Sequence, residues 1–184
     1  TLDPNSQEAA DYTVSIFDTE SSSAVYPAPY DQFEAQALEL GTYYVTAENY
    51  DPDGAEAAND GLGDMRLAGR SADIVLSSAG QKETAVVECE VTNALVTVEF
   101  DSSVAGHFEN LKIVLSGGTT PGRSLTVNET DAGVETDVWF NPSEELSYTT
   151  LTYTITGIYD PSGAAKPVEM TDSRRLEAKD NVRL

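Results

Sequence analysis

Between Asp51 and Asp64 the chain reads DPDGAEAANDGLGD, where Asp51, Asp53, Asp60 and Asp64 stand with Glu56 and Asn59 in a stretch punctuated by glycine. Hard oxygen ligands on a Gly-containing loop suit Ca²⁺, which takes about six to eight of them. The spacing lacks the Asp-x-Asp-x-Asp-Gly ladder and closing Glu of an EF-hand, and acid-rich loops are common on an acidic chain. Calcium is therefore the one cofactor the sequence raises, with these four aspartates as its candidate ligands.

Sugar stacking is a second chemistry open to the residues present. Tyr26, Tyr30 and Tyr50 lie beside turn signals, where a ring either forms a platform for a glycan or packs with its hydroxyl turned to water. Nucleophilic catalysis is not supported, because the single histidine, His107, sits in SSVAGHFENL with no serine or cysteine motif around it. LSGGTTPGRSL (Leu115 to Leu125) is glycine-rich without the Gly-Lys-Ser/Thr ending of a phosphate loop. With 32 acidic residues, a pair of carboxylates for glycoside hydrolysis can be drawn anywhere, so the count discriminates nothing.

Composition narrows the partners. Against those 32 acids stand 10 basic residues, a formal charge of −22, and no Lys or Arg precedes Arg66. Such a charge repels phosphate backbones and anionic lipid, which argues against nucleic acid as a partner and against direct membrane binding. Cys89 is the only cysteine, so no intramolecular disulfide, zinc ribbon or redox pair can form. It falls in the alternation Ala85, Val87, Cys89, Val91, which predicts a buried, inert thiol on a strand.

The elements that would carry these residues are strands. Period-two patterns rich in Thr, Val, Tyr and Ile recur between Gly, Pro, Asn and Asp clusters, and helical periodicity is hard to find. Strands are predicted over Tyr12–Phe17, Thr42–Glu48, Ala72–Leu76, Thr84–Cys89 and Ala94–Phe100. Further ones are expected over Leu111–Leu115, Ser124–Asn128, Thr136–Phe140, Leu151–Gly157 and Arg175–Ala178. The fold class is all-β, as Greek-key sandwiches. One stretch is written twice: TYYVTAENYDPDG (Thr42 to Gly54) and TYTITGIYDPSG (Thr152 to Gly163) match at Thr, Tyr, Thr, Tyr, Asp, Pro and Gly once one residue is slipped out. This predicts two tandem β-sandwich domains, 1–90 and 91–184, joined without a flexible linker. The second is expected to continue past Leu184, since Val182-Arg183-Leu184 begins an alternating pattern.

VVECEVTNALVTVEFDSS (Val86 to Ser103), ELGTYYVTAENYD, TDVWFNPS (Thr136 to Ser143) and LEAKDNVRL resemble the uncharacterised cell-surface lipoprotein domains of Bacteroidetes, which are distantly similar to fimbrillins. The resemblance covers most of the chain and carries no catalytic motif. It implies tandem sandwiches of transthyretin or immunoglobulin type, and a lipidated cysteine in a segment upstream of Thr1. It also implies display at the outer membrane or cell surface, with the membrane met only through the lipid. DPDGAEAANDGLGDMRLAGRS (Asp51 to Ser71) departs from the aromatic character of relatives there. The expected function is a non-enzymatic structural or adhesive module whose partner is a surface protein or glycan, and the alternative is a glycan-binding module for polysaccharide capture.

Overall fold

The computed structural model of the protein describes residues 12–50, 65–104, 106–118, 124–129, 135–142 and 146–184. The chain is nearly all β, built from several sheets, with no α-helix among the described residues. No helix there is long and apolar enough to cross a membrane, which says nothing of β-barrels. The chain divides into two compact units, one holding 12–50 and Arg66–Val91, the other Met65 and Thr92–Leu184.

Among the described residues, the first unit holds one six-stranded sheet. Its strands are β1 (Thr13–Asp18), β2 (Ala24–Pro29), β3 (Gly41–Glu48), β4 (Leu67–Arg70), β5 (Ile74–Leu76) and β6 (Glu90–Val91). β3 is its centre, pairing antiparallel with β1 along one side and with β4 and β5 along the other. Alternate residues explain its place: Tyr43, Val45 and Ala47 are buried beside Val14 and Ile16 of β1. Each large apolar side chain so buried is worth roughly 1.5–3 kcal/mol. Tyr43 turns its hydroxyl to the Glu39 carbonyl at 3.2 Å, so that the buried ring keeps its polar tip bonded. Gly41 makes room for that ring, because a side chain there would press on Tyr43 at 3.3 Å.

β4 and β5 share one flank of β3 because Ser71 bridges the gap between them. Its N–H donates to the Val45 carbonyl at 2.8 Å, and its hydroxyl accepts the Val45 N–H at 2.9 Å. The same hydroxyl donates to the Ala72 carbonyl at 2.8 Å. A side-chain oxygen thus stands where a ladder carbonyl is missing.

The expected strand Thr84–Cys89 is not one: only Glu90–Val91 pairs with the sheet. Ala85, Val87 and Cys89 do alternate inward, but they pack onto the apolar face of the sheet as an unpaired extended strap, together with Phe33 and Leu38. Gly69 permits the approach, since a Cβ there would overlap the Glu88 carbonyl. Period-two alternation reports which side chains are buried; it does not report whether the backbone finds a partner. β2 and β4 carry no strand prediction, because Pro27 and Pro29 demote the first and the second shows no alternation. β2 is an edge strand, where proline is tolerated and where it removes donors from the free side.

Among its described residues, the second unit has two sheets around one core. β7 (Ala94–Val98), β10 (Thr136–Phe140) and β13 (Asn181–Arg183) form the smaller sheet in the order β10-β7-β13, with β13 parallel to β7. β8 (Phe108–Ser116), β9 (Ser124–Asn128), β11 (Tyr148–Tyr159) and β12 (Lys166–Glu177) form the larger in the order β12-β11-β8-β9. Val96, Val98, Val138, Phe140 and Val182 from one sheet meet Ile113, Leu115, Val127, Leu151 and Leu176 from the other. All five residues of β7 are buried, as a run of near-continuous apolar residues requires.

β12 runs twelve residues, well beyond the expected Arg175–Ala178, and every one of them pairs with β11. Between β8 and β11 the register shifts where Asn110 adopts φ 54°. Two residues of β8 there oppose Gly157 alone, and a side chain at 157 would press on Leu111 at 2.9 Å. The N–H groups of Asn110 and Leu111, left without ladder partners, both donate to the Glu129 carboxylate at 3.1 Å.

Ser71→Ala is expected to destabilise the first unit by about 1–3 kcal/mol, because it strands the buried Val45 N–H and the Ala72 carbonyl. Urea titration followed by circular dichroism checks this, and an unchanged midpoint would contradict it.

Candidate functional site

The proposed calcium ligands Asp51, Asp53, Asp60 and Asp64 lie outside the described residues. Among the described residues, no three His, Cys, Asp or Glu side chains converge as a metal site would need. His107 is exposed in the turn before β8, and its carbonyl accepts the Asp160 N–H at 2.9 Å, tying that turn to the end of β11.

The three candidate tyrosines are not gathered at one place by any pairing. Tyr26 lies in β2 opposite Ile16 and is 40 % exposed. Tyr30 opens a short 3-10 turn after β2 and is 56 % exposed. Tyr50 follows β3, and the Arg66 guanidinium sits over its ring, 4.7 Å from the centroid.

Arginine on tyrosine recurs. Arg70 lies 4.0 Å from the Tyr44 centroid and is held there by Asp73 at 2.6 Å, while Phe17 stacks near-parallel against the same tyrosine at 5.1 Å. Arg175 covers Tyr148 at 4.0 Å. Such contacts are worth about 0.5–1 kcal/mol at exposed sites, and they take up ring faces that a sugar would otherwise stack on. Tyr26 and Tyr30 have no such cover described, and remain the rings best placed to meet a ligand.

The solvent face of the β12-β11-β8-β9 sheet is a surface of another kind. Because Ile113, Leu115 and Val127 point to the core, residues 112, 114, 116, 124, 126 and 128 point away from it. The registers line these up with Thr152, Thr154 and Thr156 of β11 and their partners on β12. Ser124, Ser116, Thr152 and Ser173 make one row across the four strands, and Thr126, Val114, Thr154 and Thr171 make the next. Asn128, Lys112, Thr156 and Glu169 make a third. Neighbouring rows lie about 6.6 Å apart and neighbouring strands about 4.8 Å apart. None of these positions is buried, and the Thr154 and Thr171 hydroxyls bond to each other at 3.0 Å. Sequence reading passed this face over; its signal was the alternation Thr150, Thr152, Thr154, Thr156 in TTLTYTIT.

Cys89 is half-buried, not fully enclosed, with its thiol 3.6 Å from the Ala47 carbonyl. Burial pushes the thiol pKa up. The protonated form is therefore favoured in the fold, so the contribution to stability is present below the unfolded thiol's pKa and is lost as pH rises through the folded one. Thiolate absorbance should appear at higher pH in the native chain than in urea, and a Cys-directed reagent should label the native chain more slowly. Equal labelling rates in both states would contradict this.

The model of one family, a domain of unknown function (DUF4493), matches residues 1–184, and the chain belongs to that family. No curated protein matches it.

Proposed function

We propose that this chain is a non-enzymatic module of a lipid-anchored cell-surface protein, acting as a structural or adhesive element. In this reading the family is the Bacteroidetes surface lipoprotein type, distantly fimbrillin-like, and the chain is two tandem Greek-key sandwiches, 1–90 and 91–184. The observation that carries it is the use made of ionisable side chains. Glu129 bonds two backbone amides, and Arg183 ties Glu99 of β7's continuation to Glu135 ahead of β10. Asp18 and Asp101 each accept backbone amides in the turns that follow β1 and β7. These ionisable groups serve to hold strands and turns, a structural use that supports the reading.

Exposure of Tyr26 and Tyr30 on β2 and the turn after it favours a second reading, a glycan-binding module. β2 cannot accept an added strand readily, since Pro27 and Pro29 remove its outward donors, so contact there must use side chains. Rings with a polar tip suit a sugar.

Deletion of the chain from its parent protein, at matched surface level by immunolabelling, is expected to lower attachment of whole cells to polysaccharide-coated or protein-coated beads. Hydrolysis of soluble polysaccharides by the same cells should not change. Unchanged attachment together with loss of a hydrolytic activity would overturn the reading.

A further inference from the structure

We infer that Tyr26 and Tyr30 form a docking site for an extended, arginine-bearing segment of a partner protein; this rests on the adhesive reading and gives these two rings a protein partner in place of a sugar. The chain itself shows the contact. Twice a tyrosine ring, a guanidinium and a carboxylate make one cluster: Arg70 lies over Tyr44 and bonds Asp73 at 2.6 Å, and Arg175 lies over Tyr148 and bonds Glu177 at 2.8 Å. Around Tyr30 the ring and the carboxylates are present, since Asp31 and Glu34 follow it and are exposed, but the chain brings no base. Residues 12–50 hold Asp18, Glu20, Asp31, Glu34, Glu39 and Glu48, and no Lys or Arg. Of the bases in the first unit, Arg66 and Arg70 lie on Tyr50 and Tyr44, and Lys82 stacks on neither Tyr26 nor Tyr30.

Three constraints choose the occupant. Pro27 and Pro29 remove outward donors from β2, so a partner cannot add a strand there and must reach the edge with side chains. The exposed carboxylates of Glu20, Asp31, Glu34 and Glu39 meet no Lys or Arg among the described residues, and their field repels an anionic ligand and draws a cationic one. A guanidinium gains from ring and carboxylate together, where a neutral sugar gains from the ring alone. Spacing is the third constraint. The Tyr30 N–H donates to the Tyr12 carbonyl at 2.8 Å, which carries the β1–β2 ladder one residue past Pro29. Alternation then sets both rings on one side of β2, with Cα atoms about 13 Å apart. An extended segment with arginines four positions apart has the same repeat. Proline on either side of Ala28 stiffens the backbone that carries the rings, so little order remains to be lost on binding.

The test is fluorescence anisotropy of a labelled Ser/Thr peptide, carrying two arginines four positions apart, titrated with the whole chain at low salt. Comparison peptides place lysine, or the uncharged arginine analogue citrulline, at the same two positions. Binding should be tightest with arginine, weaker with lysine and lost with citrulline. Tyr26→Ala and Tyr30→Ala should each weaken it about two- to five-fold, and Tyr26→Phe and Tyr30→Phe should retain it because the ring face stays. Should Tyr26→Ala lower the melting temperature, the more exposed Tyr30 carries the comparison. Asp31→Asn with Glu34→Gln should weaken binding, while Glu109→Gln with Glu169→Gln, which removes the same charge from exposed positions of the second unit, should not. Equal binding by the alanine variants, or equal loss in the two carboxylate pairs, marks attraction to net charge alone and overturns the site. Absence of peptide binding overturns it as well, while loss of attachment to protein-coated beads on deletion of the chain would still uphold the adhesive reading. Binding of a neutral polysaccharide in place of the peptide, lost in the alanine variants, overturns the choice of partner in favour of the sugar.

Discussion

A backbone N–H that loses its ladder partner must find another acceptor, and that requirement governs where this chain places its polar side chains. The sheets here are interrupted often: β3 changes partner midway along one flank, β8 bulges at Asn110, and β12 stands at an edge. At each interruption a side chain supplies the acceptor. Ser71 takes the Val45 amide, and Glu129 takes the pair at Asn110 and Leu111. Asp172 and Asp180 take the amides of Ser173 and Glu177 along the outer strand, where Pro167 has none to offer.

The two units meet the same constraint with different means. The second closes its core between two sheets, so Leu115, Leu151 and Phe140 are almost wholly enclosed. The first has one sheet among the described residues, and its second layer is a strap and a loop whose apolar side chains cover Val14, Ile16 and Val45. Half-burial of Cys89 follows, because a strap with an open backbone cannot seal a face as a paired strand does. Both designs leave edges, and proline or aspartate blunts β2 and β12 against pairing with another chain.

Legibility in the sequence followed the apolar pattern. The twice-written stretch became β3 and β11, the central strands of their sheets, because alternate Tyr, Val and Ile residues face a core in both. The sequence predicts β12 far too short, since Asp172 and Arg174 interrupt the apolar face formed by Val168, Met170 and Leu176, and the strand is held extended by β11 across the hairpin. The strap was read as a strand, because burial alternates there while pairing does not occur. Among candidate residues, the tyrosines were visible and their neighbours were not: Arg66 reaches Tyr50 from sixteen positions further along the chain, a meeting set by β3 and β4. Threonines on the outer face read as strand formers, and only the register of four strands makes rows of them.

Function, on this account, belongs to surfaces left over once the backbone is satisfied, so the account stands or falls on that satisfaction. Native-state hydrogen exchange read residue by residue tests it most directly. The amides of Val45, Asn110 and Leu111 should exchange as slowly as their ladder neighbours Tyr43 and Ile113, and Glu129→Ala should release Asn110 and Leu111 while leaving Val45 protected. Exchange of these amides at the rate of open turns in the unaltered chain would contradict it.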